Sequence, residues 1–311
     1  MKLKVTALSV FLYMGVSAQN IQNNPGSNHG NRFEQLGTIL PTPNIYRAAS
    51  GAPGQAYWQN RADYDITAYL DEDKRNLKGS ETVTYHNNSP DDLDYIWLQL
   101  DENQQSSIKK ADYPFSSTLP KSVTDQQLKA SDLTAKDNGY GVNLEKVTDA
   151  SGNPLKYTVN KTMMRIDLPK VLKKGDKFVF KIDWNYNIPN RMKMGGRGGY
   201  ENFPEDGNDL YTITQWFPRM CVYSDFQGWQ NHQFTGRGEF ALVFGNYKVS
   251  MNVPADHIIG GTGECKNYEQ VLTPEQLSRY KKAQNSNEPV EIVTLDEAKK
   301  AEKNRSKQRK T

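Results

Sequence analysis

The residues that most often carry catalysis are few in this sequence, and they stand far apart. The four histidines are scattered, and no two of them are four residues apart, so the His-Glu-x-x-His motif of zinc enzymes is absent. Cys221 and Cys265 form no Cys-x-x-Cys pair, which leaves two interpretations: a disulfide bond or two separate buried thiols. We therefore expect no catalytic residue, no metal ligand set and no cofactor in this chain.

Three other clusters of residues that could suggest a binding or catalytic site have simple structural interpretations. The run Gly195–Gly199 lacks the Gly-x-Gly-x-x-Gly spacing of a phosphate-binding loop, and no helix is predicted after it, so we interpret it as a loop between strands. Acidic residues cluster at 91–94 and at Asp101-Glu102, where strands are predicted to end. Because aspartate is favoured in turns, we interpret both clusters as turn residues rather than as a glycosidase pair.

One stretch, TITQWFPRMCVYSDFQGWQN at residues 212–231, combines aromatic rings with polar side chains at the end of a predicted strand. Apolar and polar residues alternate from Tyr211 to Gln215. The alternation ends at Phe217-Pro218, where proline removes a backbone donor. From the residues alone, we expect Trp216 and Phe217 to plug the end of a sheet as core residues.

The ends of the chain predict export and disfavour two classes of partner. Residues 1–18 combine a basic start, an apolar run and the small-residue site Val16-Ser17-Ala18, which is typical of a signal peptide. We therefore expect a periplasmic or extracellular location. We expect no membrane span, because this apolar run is too short to cross a bilayer and no later run is longer. The formal charge of +3 comes mainly from the leader and the basic tail at 296–311, so we expect no nucleic-acid partner.

The elements that must position the aromatic stretch are mostly strands. Alternating apolar and polar segments separated by turn residues predict an all-β fold, a saddle-shaped pair of sheets or β-sandwich of about ten or more mostly antiparallel strands. Capping boxes that begin at Thr273 and Thr294 predict short helices near the C-terminus. The predicted strands are 64–70, 81–86, 95–100, 140–147, 155–159, 163–168, 177–187, 210–215, 238–244, 247–253 and 257–261.

These patterns divide the chain into four parts. We predict a signal peptide at 1–18, an extended lead-in rich in Gly, Asn and Pro at 19–57, a β domain at 58–264 and a helical linker at 265–311.

The β domain resembles the N-terminal β-saddle domain of the aminopeptidase N family, the gluzincin zinc metallopeptidases. Each matching segment alone has modest specificity, and the resemblance depends on their order and spacing from about residue 57 to residue 264. The four segments are ADYDITAYLDEDKRNLKGSETVTYHNNSPDDLDYIWLQLDEN (62–103), GGRGGYEN (195–202), TITQWFPRMCVYSDFQGW (212–229) and GEFALVFGNYKVSMNVPADHIIGGTGE (238–264).

The resemblance implies a role for the aromatic stretch. Gln215 stands at the position where the family places a Glu or Gln that helps to bind the free α-amino group of a peptide substrate. Trp216 and Phe217 would then wall the pocket for the first substrate side chain. The resemblance also implies that zinc belongs to a catalytic domain of the same full-length enzyme, which would pack against this one and act on peptide N-termini.

The sequence departs from the family in what it lacks. The family's Gly-Ala-Met-Glu-Asn segment, its His-Glu-x-x-His motif and its catalytic tyrosine do not occur here. Because a polar helix beginning at Thr294 ends the sequence, we expect a fragment of a longer metallopeptidase that is inactive by itself. The alternative is a stand-alone, non-catalytic β-sandwich that binds carbohydrate or peptide through Trp216, Trp229 and neighbouring rings.

Overall fold

The computed structural model describes residues 43–111, 122–129, 136–205, 207–236, 241–304, 306 and 308–311. Two compact units divide the chain, Met1–Tyr57 and Trp58–Thr311. The described part of the first unit consists of turns with an isolated bridge between Arg47 and Pro53. The predicted signal peptide and most of the predicted lead-in lie outside the described residues.

The second unit is built mainly from strands, which confirms the predicted all-β class. Its short helices are α1 (Arg191–Met194), α2 (Tyr268–Val271), α3 (Pro274–Ala283) and α4 (Leu295–Lys303), with a 3-10 helix at Asp101–Gln105 and a helical turn at residues 125–129. The strands are β1 (Arg61–Asp71), β2 (Asn76–His86), β3 (Leu93–Gln99), β4 (Asn143–Asp149), β5 (Tyr157–Asn160), β6 (Met163–Leu172), β7 (Lys177–Asn187), β8 (Gly199–Phe203), β9 (Asn208–Thr212), β10 (Arg219–Met220), β11 (Tyr223–Ser224), β12 (Gly228–Trp229), β13 (Tyr247–Pro254) and β14 (Arg309–Lys310).

The larger sheet has six strands in the order β14-β13-β1-β2-β7-β4. Alternate residues of β1 are buried, as the sequence pattern requires of a strand with one face on a core. The β1–β2 and β2–β7 pairs are antiparallel, and β13 joins the other edge of β1 in parallel, with Tyr64 beside Tyr247. These registers place Tyr64, Glu81 and Trp184 on one face of the sheet.

A second sheet of four strands, in the order β10-β3-β6-β5, shares its core with the larger one. Ile96 and Ile166 of the smaller sheet belong to the same buried cluster as Ile66 and Phe180 of the larger sheet. Two short hairpin sheets, β8-β9 and β11-β12, complete the domain. The arrangement resembles a β-sandwich. The first three strands were expected to form one meander, and this is wrong: β1 and β2 form an antiparallel hairpin, but β3 pairs with β6 and β10 in the smaller sheet.

Some predicted boundaries are wrong. No strand forms at 257–261, because β13 ends at Pro254 and the chain turns there, with the N–H of His257 donating to the carbonyl of Pro254. The strand predicted at 210–215 ends at Thr212. At 238–244 the described residues form only one isolated bridge, at Leu242, and residues 237–240 lie outside the described residues.

The predicted C-terminal helices are confirmed, but the expectation that a helix ends the sequence is wrong: α4 ends at Lys303, and β14 follows and pairs with β13 at the edge of the larger sheet. In both α3 and α4 the N-cap threonine accepts from the third helical N–H while the third side chain bonds back to the N-cap backbone. Arg279 of α3 contacts both carboxylate oxygens of Glu297 in α4 at 2.6 Å, and this pairing lowers the pKa of Glu297 to about 2. No helix in the described part of the chain is long and apolar enough to cross a membrane.

Candidate functional site

Gln215 lies in an irregular segment, residues 213–218, that connects β9 to β10. Its φ of 52° is in the left-handed region, which an L residue with a Cβ adopts only at a cost in conformational energy. The residue is half-buried, and its side-chain amide has no hydrogen-bond partner among the described residues. A strained backbone that presents an unpaired polar side chain is a feature often found at binding sites.

Both ends of this segment are fixed, which explains why the strain is retained. Pro218 is buried, lacks an N–H and has a fixed φ, so β9 cannot continue through it as a regular strand. Immediately after it, Arg219 and Met220 pair with β3 of the smaller sheet. The N–H of Met220 also donates to the Tyr64 hydroxyl at 2.9 Å, which ties the segment to the larger sheet.

Trp216 and Phe217 pack into a group of aromatic side chains on the core face of the larger sheet. We call this group the aromatic box; its members are Tyr64, Trp184, Trp216, Phe217 and Tyr247. The rings of Tyr64 and Tyr247 stack with centroids 4.8 Å apart, and the ring of Phe217 meets that of Tyr64 edge-on at 5.5 Å. The ring of Trp216 lies 5.0 Å from that of Phe217 and 5.8 Å from that of Trp184.

The structure gives support to both interpretations of the two aromatic residues. Trp216 and Phe217 pack against the buried core, as a strand-end plug would. Both nevertheless stay partly exposed, and Tyr247 beside them is 49% exposed. The aromatic box therefore joins the core to the surface beside Gln215.

Gly79 sets the depth of the aromatic box. It lies opposite Trp184 in the β2–β7 register, and a Cβ added to it would stand 2.1 Å from the Trp184 ring. Only a residue without a side chain leaves room for the indole to lie flat over the strand. Trp184 is consequently 1% exposed and supports Trp216 from below.

Glu81 occupies the next position on the same face of β2, and sequence analysis missed it. It is 1% exposed, and neither carboxylate oxygen has a hydrogen-bond partner among the described residues. Burial raises the pKa of Glu81 well above its ordinary value. The sequence did contain a hint of this residue. The inward-facing positions of β2 are Leu77, Gly79, Glu81, Val83 and Tyr85, and Glu81 is the one charged residue among them.

The Glu81 carboxyl lies close to the two tyrosines of the aromatic box. Burial raises the pKa of Tyr64, and the Glu81 carboxyl raises it further. The same carboxyl contributes to the raised pKa of Tyr247, after burial and against the opposing effect of Arg219. Glu81 pairs with Ile66 of β1 on one neighbouring strand and with Ile182 of β7 on the other, so both residues directly opposite it are apolar.

A buried polar cluster surrounds Arg219 at the start of β10. The guanidinium contacts the Asp101 carboxylate and lies 3.3 Å from the side-chain oxygen of Gln99. Burial raises the pKa of Glu102 to about 8, and the adjacent Asp101 charge adds to the shift. Asp101 and Glu102 follow the end of β3, as predicted, but they lie in a 3-10 helix, and both are buried.

The remaining candidates form no second site. The described residues contain no group of three His, Cys, Asp or Glu side chains that could hold a metal ion. Cys221 is buried, Cys265 is half-buried, and neither is in a disulfide bond, so the disulfide interpretation is wrong, and only Cys221 is the buried thiol of the alternative. Gly199 begins β8 instead of lying in a loop. A groove of about 420 Å³ lies elsewhere, lined by residues that include Asn103, Lys109 and Tyr157.

Trp216 and Trp229 lie in different aromatic groups. Trp229 contacts the rings of Tyr85 and Tyr223, at 6.0 Å and 5.1 Å, and Tyr223 contacts that of Trp58 at 5.9 Å. No ring contact joins this group to the aromatic box within the described residues. The ring contacts therefore place the two tryptophans named by the binding-module hypothesis in separate aromatic groups.

Comparisons with known proteins give a distant match of fold. No protein-family model and no curated protein matches the sequence. Among solved structures, a mutant M1 zinc metallopeptidase from Deinococcus radiodurans bound to a Tyr-Ser-Ala substrate has 13% identity and a TM-score of 0.33, over 69% of this chain and 39% of that chain. A two-domain M1 zinc metallopeptidase bound to L-tryptophan has 12% identity and a TM-score of 0.32, with the same coverage. The chain spans less than half of these structures, and the similarity is too low to assign a family.

Proposed function

We propose that this chain is the N-terminal, substrate-binding β domain of an exported zinc aminopeptidase. In this proposal Gln215 binds the free α-ammonium group of a peptide, and Trp216 and Phe217 wall the pocket for the first side chain. The observation that carries the proposal is the conformation of Gln215, whose left-handed backbone holds an unpaired amide at the edge of the aromatic box. The order of the sequence segments from 62 to 264 supports the same assignment.

The chemistry of these side chains suits an ammonium group. The amide oxygen of Gln215 is an uncharged hydrogen-bond acceptor. It can therefore accept a hydrogen bond from an ammonium group without changing its own protonation. The faces of Trp216 and Phe217 attract cations and also pack well against apolar side chains. Bond cleavage needs groups that the described residues lack, and the proposal assigns it to zinc in a catalytic domain, where the metal would activate the attacking water.

Gln215→Ala in the full-length enzyme tests the proposal. A hydrogen bond to a charged group contributes about 1.5–3 kcal/mol, so we expect kcat/KM for substrates with a free α-amine to fall roughly 10- to 150-fold, with a raised KM. Gln227→Ala, in the turn between β11 and β12, is the matched control and should leave kcat/KM unchanged. An equal loss on free and N-acylated peptides would remove Gln215 from the site.

A further inference from the structure

We propose that Glu81 and the aromatic box form a binding site for an organic ammonium group, with the Glu81 carboxylate at its base. This inference rests on the proposed function for the role of Trp216 and Phe217. It adds a residue that the family resemblance does not mention, and it names the ligand as a primary amine attached to an apolar or aromatic group.

The first observation is the isolation of the Glu81 carboxyl. It is almost fully buried, yet neither oxygen is hydrogen-bonded to any described residue. A polar group in this condition destabilises the fold, so proteins rarely retain one without a use for it. The nearby Arg219 does not satisfy the Glu81 carboxyl, because its guanidinium bonds to Asp101 and Gln99.

The second observation is the kind of side chain that surrounds this carboxyl. Tyr64 lies diagonally across from Glu81 on the neighbouring strand, and Trp184 lies diagonally across on the other side. Phe217 and Trp216 cover these two rings at centroid distances of 5.5 Å and 5.8 Å. Aromatic faces together with one carboxylate form the environment that recognises organic cations in proteins.

Access to Glu81 requires the cover of the aromatic box to move. Trp216 and Phe217 belong to the irregular segment 213–218, so no ladder of strand hydrogen bonds holds them in place. The left-handed conformation at Gln215 stores strain in the same segment. Tyr247 is 49% exposed, which places the outer edge of the box at the protein surface. We infer that a ligand amine displaces the Trp216–Phe217 pair and reaches the carboxyl beneath it.

Binding of an amine at this site is expected to release a proton from the protein. Without a cation, burial raises the pKa of the Glu81 carboxyl and so favours its protonated form. The ligand arrives as an ammonium ion and keeps its own proton. The carboxyl then ionises to form the ion pair, and its proton passes to solvent, so about one proton is released for each amine bound at neutral pH.

Calorimetric titration of the purified chain with phenethylamine, in two buffers of different ionisation enthalpy, measures both affinity and proton release. We expect saturable binding with about one proton released. Phenylethanol, which has the same ring and no amine, should release none. Glu81→Met keeps the side-chain volume and removes both oxygens, so it should weaken phenethylamine binding at least about 10-fold and abolish the proton release.

Stability separates a ligand-binding role from a structural one. Because Glu81→Met removes a buried, unpaired polar group, we expect it to raise Tm by about 2 °C or more, whereas replacing a core residue with a structural role lowers Tm. Glu81→Gln keeps the shape without an ionisable group and should also lose the proton release. Glu102→Gln, at a buried carboxyl outside the aromatic box, is the matched control and should bind phenethylamine like the unaltered chain.

The outcomes distinguish this inference from the proposed function. Absence of phenethylamine binding, or unchanged binding and proton release in Glu81→Met, overturns the inference. If Gln215→Ala alone weakens phenethylamine binding and Glu81→Met does not, the inference fails while the proposed function gains support. If Glu81→Met alone weakens it, Glu81 is the amine-binding residue and the role proposed for Gln215 fails.

Discussion

The strain at Gln215 can be measured by comparing two substitutions that both remove its amide. Alanine at 215 keeps a Cβ in the left-handed region, which costs about 1–2 kcal/mol for an L residue. Glycine adopts φ of 52° freely but loses about 0.5–1 kcal/mol more chain entropy on folding than alanine. The two effects leave a net difference, so we expect Gln215→Gly to be more stable than Gln215→Ala by about 0.5–1 kcal/mol.

Urea denaturation of both variants measures this difference, and calorimetry should give a Tm for the glycine variant higher by about 1–4 °C. The control pair is Gln227→Gly and Gln227→Ala, because Gln227 is not among the described residues with positive φ. There the order should reverse, with the glycine variant less stable by about 0.5–1 kcal/mol. Equal stabilities of the two variants at 215 would refute the strain argument and weaken the case for a site there.

Three further predictions concern the packing of the core, the pH dependence of stability and the absence of bound zinc. Gly79→Ala should lower the free energy of unfolding by about 1–3 kcal/mol in urea denaturation, because its Cβ would displace the Trp184 ring; a neutral result would mean that the ring relaxes freely. The pKa of Glu102 rises from 4.5 to about 8 on folding, so its contribution to stability is complete below pH 4.5 and is lost as pH rises to about 8. Glu102→Gln should remove that decline, which has a slope of up to about 1.4 kcal/mol per pH unit, and an unchanged profile of stability against pH would contradict the burial argument. Elemental analysis of the purified chain should find no stoichiometric zinc, and one tightly held equivalent would reveal a ligand set outside the described residues.

Local sequence patterns determined most of the fold. In β1 and β7 apolar and polar residues alternate, which requires only that one face of each strand be buried. This two-residue period is a property of the strand itself and is the same whichever strand pairs with it. The capping boxes at Thr273 and Thr294 involve residues three apart, so they form wherever the chain enters those helices. The resemblance of the aromatic stretch likewise predicted Gln215 as a site residue from the sequence.

Side-chain burial and strain, in contrast, were decided by contacts between distant residues. Tyr247 and Met251 of β13 continue the apolar alternation and lie beside Tyr64 and Ala68, yet they stay 49% and 39% exposed, so alternation along the strand alone does not decide their burial. The isolation of Glu81 depends on strands β1 and β7, which the sequence of β2 does not specify.

The same reason explains why the candidate site was only partly predictable. The family resemblance of the aromatic stretch predicted Gln215, Trp216 and Phe217 as site residues, and these occupy three consecutive positions of the chain. The proposed base of the site comes from residue 81, and the ring that supports Trp216 comes from residue 184; these two residues meet only through the pairing of β2 with β7. Sequence periodicity reports which face of a strand is buried, while the partner across the sheet decides whether a buried carboxyl finds a hydrogen bond.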